Sequence, residues 1–147
     1  MKNIFYTMVA ALALVSCNDD ALSFLAFTIT DKAGMVNIAV AEDGIITNWG
    51  KKAGTLGHDG TVTDATGRQT ATLGENGLLT GLDGNTLVTI DDNGSIHIEN
   101  SAEIGWNNAG ELVKGGEKLG TQLKPSDKVS HRAASVVFYL YSGLFTR

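Results

Sequence analysis

Between residues 35 and 123 the apolar residues are not massed in blocks but come in pairs six residues apart, each pair straddling a glycine. Gly44, Gly60, Gly77, Gly94 and Gly110 are spaced 16, 17, 17 and 16 residues apart, and self-similarity at a fixed period marks a repeat architecture. Four residues before these glycines stand Val40, Leu56, Leu73, Ile90 and Trp106; two residues after them stand Ile46, Val62, Leu79, Ile96 and Leu112. Four of the five glycines follow Asp or Asn, which is turn chemistry. A two-residue loop would put Leu73 and Leu79 on opposite faces. A three-residue loop, Glu75-Asn76-Gly77, pairs them directly, as a type I turn closed by a left-handed residue that glycine supplies at little cost. The same register pairs Val40 with Ile46, Leu56 with Val62, Ile90 with Ile96 and Trp106 with Leu112.

A second set of turns lies midway between the first. Treated as two-residue hairpin loops, Thr66-Gly67 and Asp83-Gly84 pair Val62 with Ala71 and Leu79 with Val88, which keeps the same residues on the same face. A three-residue loop at Glu99-Asn100-Ser101 pairs Ile96 with Ile104 and Ile98 with Ala102. Thr61, Thr63, Thr70, Thr72, Thr80 and Thr89 then point outward with Leu78 and Leu87, on a pleat suited to β-branched hydroxyl side chains. The pattern predicts a mainly β protein: an antiparallel hairpin meander of about ten short strands from Met35 to Leu123. A two-sided β-solenoid is the alternative, but Asn-Gly and Asp-Gly hairpins join adjacent antiparallel strands and so favour the meander.

A sheet with one apolar face must be covered or must curl upon itself. After Lys124-Pro125, which ends the last strand, Val129, Ala133, Val136, Val137, Leu140 and Leu144 recur mostly at spacings of three and four. They predict a helix over 126–145, with Ser126 as N-cap and Asp127 in its first turn. At 1.5 Å per residue it would be about 30 Å long, enough to cross several strands. The β-prone run at 136–141 makes a final strand the alternative. The segment 21–29, with Phe24 and Phe27, is expected to add a first strand or short helix to the same core.

The chain of 147 residues has room for one modest domain. Eleven basic against sixteen acidic residues give a net charge of −5, and no basic cluster exceeds Lys51-Lys52. A phosphate-binding footprint is missing, so nucleic acid is not an expected partner. A single cysteine makes neither an internal disulfide nor a thiolate zinc site. His58, His97 and His131 show no metal-ligand spacing, and the first two are expected on the surface. Counted from Asp92, a calcium-loop register puts Glu103 at position twelve but Gly94 and Ile96 at positions three and five, which offer no side-chain oxygen. No nucleophile elbow or phosphate loop is present, and no cofactor or metal is expected. Trp106 occupies an inward repeat position, whereas Trp49, beside Gly50-Lys51-Lys52, is the candidate interaction residue.

The chain opens with Lys2 and an apolar run from Ile4 to Val15, too short to span a bilayer and fitting a secretory signal. Leu14-Val15-Ser16-Cys17 resembles the lipobox of bacterial lipoproteins, with the chain's one cysteine at the lipidated position. The resemblance implies cleavage before Cys17 and acyl chains on it, each buried CH₂ contributing about 0.8 kcal/mol of anchoring. Removing residues 1–16 leaves ten basic against sixteen acidic residues, net −6. Asn18 after the cysteine leans toward the outer membrane. The repeat over about 34–123 is similar to uncharacterised Gly-rich repeat lipoproteins of Gram-negative bacteria, a resemblance that implies no activity. The expected organisation is a signal peptide over 1–16, a lipidated lead-in over 17–33, the β-repeat domain over 34–123, and a C-terminal helix or apolar segment over 124–147.

The function these readings support is non-catalytic: an envelope lipoprotein, held to the bilayer through acyl chains on Cys17, with a structural or protein-binding role toward an envelope partner or a second copy. One alternative is a membrane-active or pore-associated protein using the apolar C-terminal segment. Another is a hydrolase using paired carboxylates, which would need two acids converging in a concave pocket.

Overall fold

In a computed structural model, residues 22–74 and 76–142 are described. Cys17 and the signal-like segment lie outside them, as do Leu144 and Phe145. Twelve antiparallel strands form a closed barrel. They are β1 (Phe27–Thr30), β2 (Val36–Val40), β3 (Ile45–Asn48), β4 (Lys51–Leu56), β5 (Thr61–Asp64), β6 (Gln69–Leu73), β7 (Leu78–Gly81), β8 (Thr86–Ile90), β9 (Ile96–His97), β10 (Ile104–Trp106), β11 (Glu111–Lys114) and β12 (Glu117–Lys124). Each strand pairs with its neighbours in sequence, and β1 closes the ring against β12 through Thr28↔Lys124, Ile29↔Leu123 and Thr30↔Gln122. The meander is therefore correct and the solenoid is not formed. The sheet begins earlier than Met35, because Phe27–Thr30 supplies the closing strand, and closure leaves no exposed edge.

The five repeat glycines all sit in turns with φ between 81° and 92°. Each turn has the expected three-residue form: Gly77 N–H donates to Gly74 C=O at 3.0 Å while Gly74 N–H donates to Leu78 C=O at 2.9 Å, and the turns at Gly44, Gly60, Gly94 and Gly110 repeat this pair of bonds. The inward pairs form as expected: Val40↔Ile46, Leu56↔Val62, Leu73↔Leu79, Ile90↔Ile96 and Trp106↔Leu112.

The intervening turns differ from expectation. Gly67 N–H donates to Asp64 C=O and Asp64 N–H to Arg68 C=O, so this loop too holds three residues, and the Asp83-Gly84 loop is built alike. The expected pairs Val62↔Ala71 and Leu79↔Val88 nevertheless form, because a bulge one step into each ladder shifts the register back. At the β9–β10 turn Ile96↔Ile104 is paired. Ile98 and Ala102 lie beyond the ladder, where Ser101 N–H donates to Ile98 C=O and Asn100 adopts φ 64°.

The helix is shorter than expected and stands in a different place. A 3₁₀ turn at Lys128–Ser130 leads into α1, His131–Tyr141. Ser126 is not its N-cap; Ser130 occupies that position without a side-chain capping bond. Residues 133–138 are all buried, on every side of the helix, which a helix lying on a sheet cannot achieve. α1 touches β2 and β8, which are six strands apart in a ring of twelve. It therefore runs through the lumen, where Ile29, Ile46, Val62, Leu79, Ile90, Leu112 and Leu123 point inward and are buried. Its eleven residues span about 16 Å, close to the length of a strand of four or five residues. A β-carbon on Gly54, on β4, would lie 2.0 Å from the Thr63 carbonyl oxygen of the neighbouring strand and 3.1 Å from the Tyr141 hydroxyl at the end of α1.

The two ends of the barrel are unlike. At the end carrying the five repeat glycines, the Leu22–Ala26 lead-in passes from the β4–β5 turn to the start of α1. Leu22 N–H donates to His58 C=O at 2.9 Å, Phe24 stacks on the His58 ring at 4.1 Å, and Leu25 N–H donates to Ser130 Oγ at 3.0 Å. His58 is exposed as expected, yet it also holds this covering segment in place. At the opposite end, a β-carbon on Gly34, Gly50, Gly67 or Gly84 would meet nothing within 4 Å. These are the closed rim and the open rim.

Candidate functional site

Two places stand out from the repeat. The first is on the open rim. Trp49 is 59% exposed and Trp49-Gly50 forms a two-residue hairpin loop with φ of 54° and 83°, closed by Asn48↔Lys51. Positive φ at both central residues is the type I′ turn, whose first position favours Asn, Asp or Gly and costs a bulky residue energy. Exposed Met35 and Leu82 stand on other hairpin tips of the same rim. Lys51 and Lys52 are exposed at the base of the Trp49 hairpin. The candidate Trp49 is thus on the surface as expected, while Trp106 is buried and its ring meets Phe138 edge to face at 5.9 Å.

The second place is on the closed rim, where the repeat is broken. The carbonyls of Gly44, Gly60, Gly77 and Gly110 each accept a backbone N–H from the next inward strand residue, Leu56, Leu73, Ile90 and Leu123, at 2.7–2.8 Å. The carbonyl of Gly94 instead accepts the hydroxyl of Ser135 on α1, and Ser135 Oγ in turn accepts Trp106 Nε1–H at 2.9 Å. A β-carbon on Gly94 would lie 2.6 Å from the His131 carbonyl oxygen, so glycine is needed for α1 to start there.

Beside this junction Asp92, Asn93, Trp106, Asn108, Lys128 and His131 line a cavity of about 320 Å³, at the lower end of the 300–1,000 Å³ usual for ligand pockets. His131 is 4% exposed. Its Nε2 is buried without a hydrogen-bond partner. Burial pushes the His131 pKa below the usual histidine value, and the nearby Lys128 charge adds to this, against Asp127 and the Ser126 backbone. Arg132 Nη1 lies 3.3 Å from Asp92 Oδ1 and its Nη2 donates to the Ile90 carbonyl at 3.1 Å. Sequence reading missed this site, since a lone histidine in a helical stretch carries no spacing signal.

The carboxylates work mostly as turn supports. Asp31 Oδ1 accepts the N–H groups of Ala33 and Met35, Asp64 Oδ1 those of Thr66 and Arg68, and Asp91 Oδ1 those of Asn93 and Ser95. The Thr66 hydroxyl, with the Arg68 N–H, holds the Asp64 carboxyl below its ordinary value. His97 is exposed as expected, 3.1 Å from Asp91 Oδ2 and 3.9 Å from Glu103 Oε1. Among the described residues no group of His, Cys, Asp and Glu is arranged to hold a metal ion. Compared with protein-family models, curated proteins and solved structures, the chain matches none.

Proposed function

We propose that this chain is a lipid-anchored protein of the bacterial cell envelope, more specifically of the outer membrane, in which a non-catalytic barrel holds the Trp49 rim out for a protein partner. The observation that carries the reading is Trp49 itself: a large aromatic, exposed, in a backbone conformation that stability alone would assign to Asn or Gly. A residue that folding does not ask for, at a tip that packing does not use, points to binding.

The placement of the chain supports the same reading. Cys17 precedes Leu22 by five residues, a reach of about 17 Å when extended, and Leu22 is fixed on the closed rim. A tether at Cys17 would leave the Trp49 rim on the far side of the barrel from the bilayer. The outer wall is Thr-rich, and most strands have three to six residues, against the nine to eleven or so of a membrane-spanning strand. No described helix is long and apolar enough to cross a membrane. The apolar residues of α1 are occupied in the lumen, which favours the scaffold over a membrane-active C-terminal segment. Use of the aspartates as turn supports favours it over a carboxylate hydrolase.

The test is fractionation and capture from intact envelopes with a C-terminally tagged chain. Native protein is expected in the membrane fraction and Cys17→Ser outside it. Trp49→Asn is expected to stay with the membrane but lose the captured partner. Membrane fractionation unchanged by Cys17→Ser refutes the anchor, and capture unchanged by Trp49→Asn refutes the binding rim.

A further inference from the structure

We propose that the protein met by the Trp49 rim presents an acidic surface around an apolar anchor, and that the hairpins β1–β2, β3–β4 and β5–β6 form the docking face for it. The inference rests on the binding-rim reading above and adds the chemistry of the partner. These three hairpins follow one another around the open rim. They carry Lys32, Lys51, Lys52 and Arg68, all exposed, against two carboxylates, Asp31 and Asp64. Over residues 31–36, 48–52 and 64–69 the formal charge is therefore +2, whereas the rest of the chain carries −7. Both carboxylates are turned to their own loops, where Asp31 Oδ1 accepts the N–H groups of Ala33 and Met35 and Asp64 Oδ1 those of Thr66 and Arg68. No ion pair among the described residues includes any of the four cations. The next hairpins along the same rim, β7–β8 and β9–β10, carry Asp83, Glu99 and Glu103 and no lysine or arginine. The acids of the closed rim lie a strand's length away, about 15 Å. That exceeds the screening length of about 8 Å at physiological salt, so a partner approaching Trp49 meets the local positive field.

The apolar part of the arc selects the class of partner. Met35, Val36 and Trp49 are exposed, and they are neighbours, because Trp49 N–H donates to the Asn37 carbonyl at 2.7 Å across the β2–β3 ladder. A polar glycan has nothing to cover Met35 and Val36. A bilayer does, but a tether at Cys17 would hold it on the opposite rim. A second copy has acids on its closed rim, at Glu42, Asp43 and Asp59, but its own anchor would keep that rim at the bilayer. Two open rims face to face would point their anchors in opposite directions. An acidic protein surface with an apolar side chain for Trp49 suits both the charge and the apolar patch.

In the test, the purified chain is titrated with three synthetic peptides of equal length built from Leu, Gly and one variable residue, Glu, Gln or Lys, with tryptophan emission as the signal. A saturable change is expected with the Glu peptide, weaker with Gln and absent with Lys. It should be lost in Trp49→Phe, where the buried Trp106 is the tryptophan that remains. In about 1 M sodium chloride, where the screening length falls to about 3 Å, the advantage of Glu over Gln should vanish. Lys51 and Lys52 are exposed, so Lys51→Gln with Lys52→Gln should fold normally, raise half-saturation for the Glu peptide about three- to tenfold and leave the Gln peptide unchanged. No response to the Glu peptide, equal half-saturation for Glu and Gln, or no effect of the lysine substitutions would each overturn the proposal. Phosphatidylglycerol vesicles that bind through Lys51 and Lys52 would overturn it in favour of a membrane, and a dimer of the chain alone that the lysine substitutions dissociate would overturn it in favour of a second copy. In capture from envelopes, a partner lost with Trp49→Asn but kept with the lysine substitutions would overturn the acidic partner and leave the binding rim standing; a partner kept with Trp49→Asn overturns the rim itself.

Discussion

Ser135→Ala is the sharpest probe of how the helix is locked into the barrel. The hydroxyl is buried and bridges two elements, donating to the Gly94 carbonyl and accepting Trp106 Nε1–H at 2.9 Å. Alanine removes one oxygen and leaves almost no cavity, so packing changes little and the effect isolates the hydrogen bonds. Both the indole N–H and the Gly94 carbonyl lose this partner in the dry interior, and orphaning a buried polar group costs about 1–3 kcal/mol each. The expected loss is about 2–5 kcal/mol, a large share of the roughly 5–15 kcal/mol that holds a domain folded. In urea, with a slope near 2 kcal/mol/M, the midpoint should fall by about 1–2.5 M. Trp106→Phe removes the donor in advance, so in that background Ser135→Ala should cost about 1 kcal/mol less. A midpoint for Ser135→Ala within about 0.2 M of the parent, or strict additivity with Trp106→Phe, would refute the bridge.

Three further outcomes are expected. Gly67 and Gly77 share the left-handed conformation, at φ 91° and 85°, but a β-carbon meets nothing at Gly67 and would sit 2.5 Å from the Ile90 carbonyl at Gly77. Chemical denaturation should therefore show Gly67→Ala costing about 1–2 kcal/mol, and Gly77→Val distinctly more. Trp49→Asn should raise stability by about 1 kcal/mol through the type I′ turn, read as a higher midpoint alongside lost partner capture; lower stability would show that Trp49 packs. Because the folded-state pKa of His131 is depressed, the unfolded chain takes up this proton first, and stability should decline as pH falls below about 6.5. The carboxyls of Asp64, Asp91 and Glu111, also held low, extend that decline below about pH 4. His131→Gln should remove the upper part of the decline and leave the lower part, which thermal melts across the range would resolve.

The repeat was legible in detail because two independent signals coincide there. Glycine marks the left-handed turn position, and an apolar pair six residues apart sets which residues face each other; Leu73↔Leu79 and Val62↔Ala71 required nothing more. The bulges beside Gly67 and Gly84 left no such trace, since the inserted residue changes the loop count but not the inward set. Closure was not legible either, because the last partner of β12 is Phe27–Thr30, a short run outside the repeat with no turn signal of its period. The position of α1 was half written in the chain: Ala133, Ala134, Val136 and Val137 already span an arc of about 160°, wider than a minimal stripe, and Ser135 and Phe138, also buried, complete the circuit. The closed-rim cavity had no sequence signal, as Asp92, Asn108 and His131 meet only through closure of the barrel around α1.

Amide hydrogen exchange across α1 weighs most directly on the architecture from which both sites follow. With the helix inside the ring, amides of Val136, Val137 and Phe138 can exchange only when the barrel opens, so their protection should equal that of Val62, Leu79 and Ile90 and should fall in step with theirs as urea is added. Exchange of the helix at lower denaturant than the strands, as a separate unit, would place it outside the barrel and contradict the account.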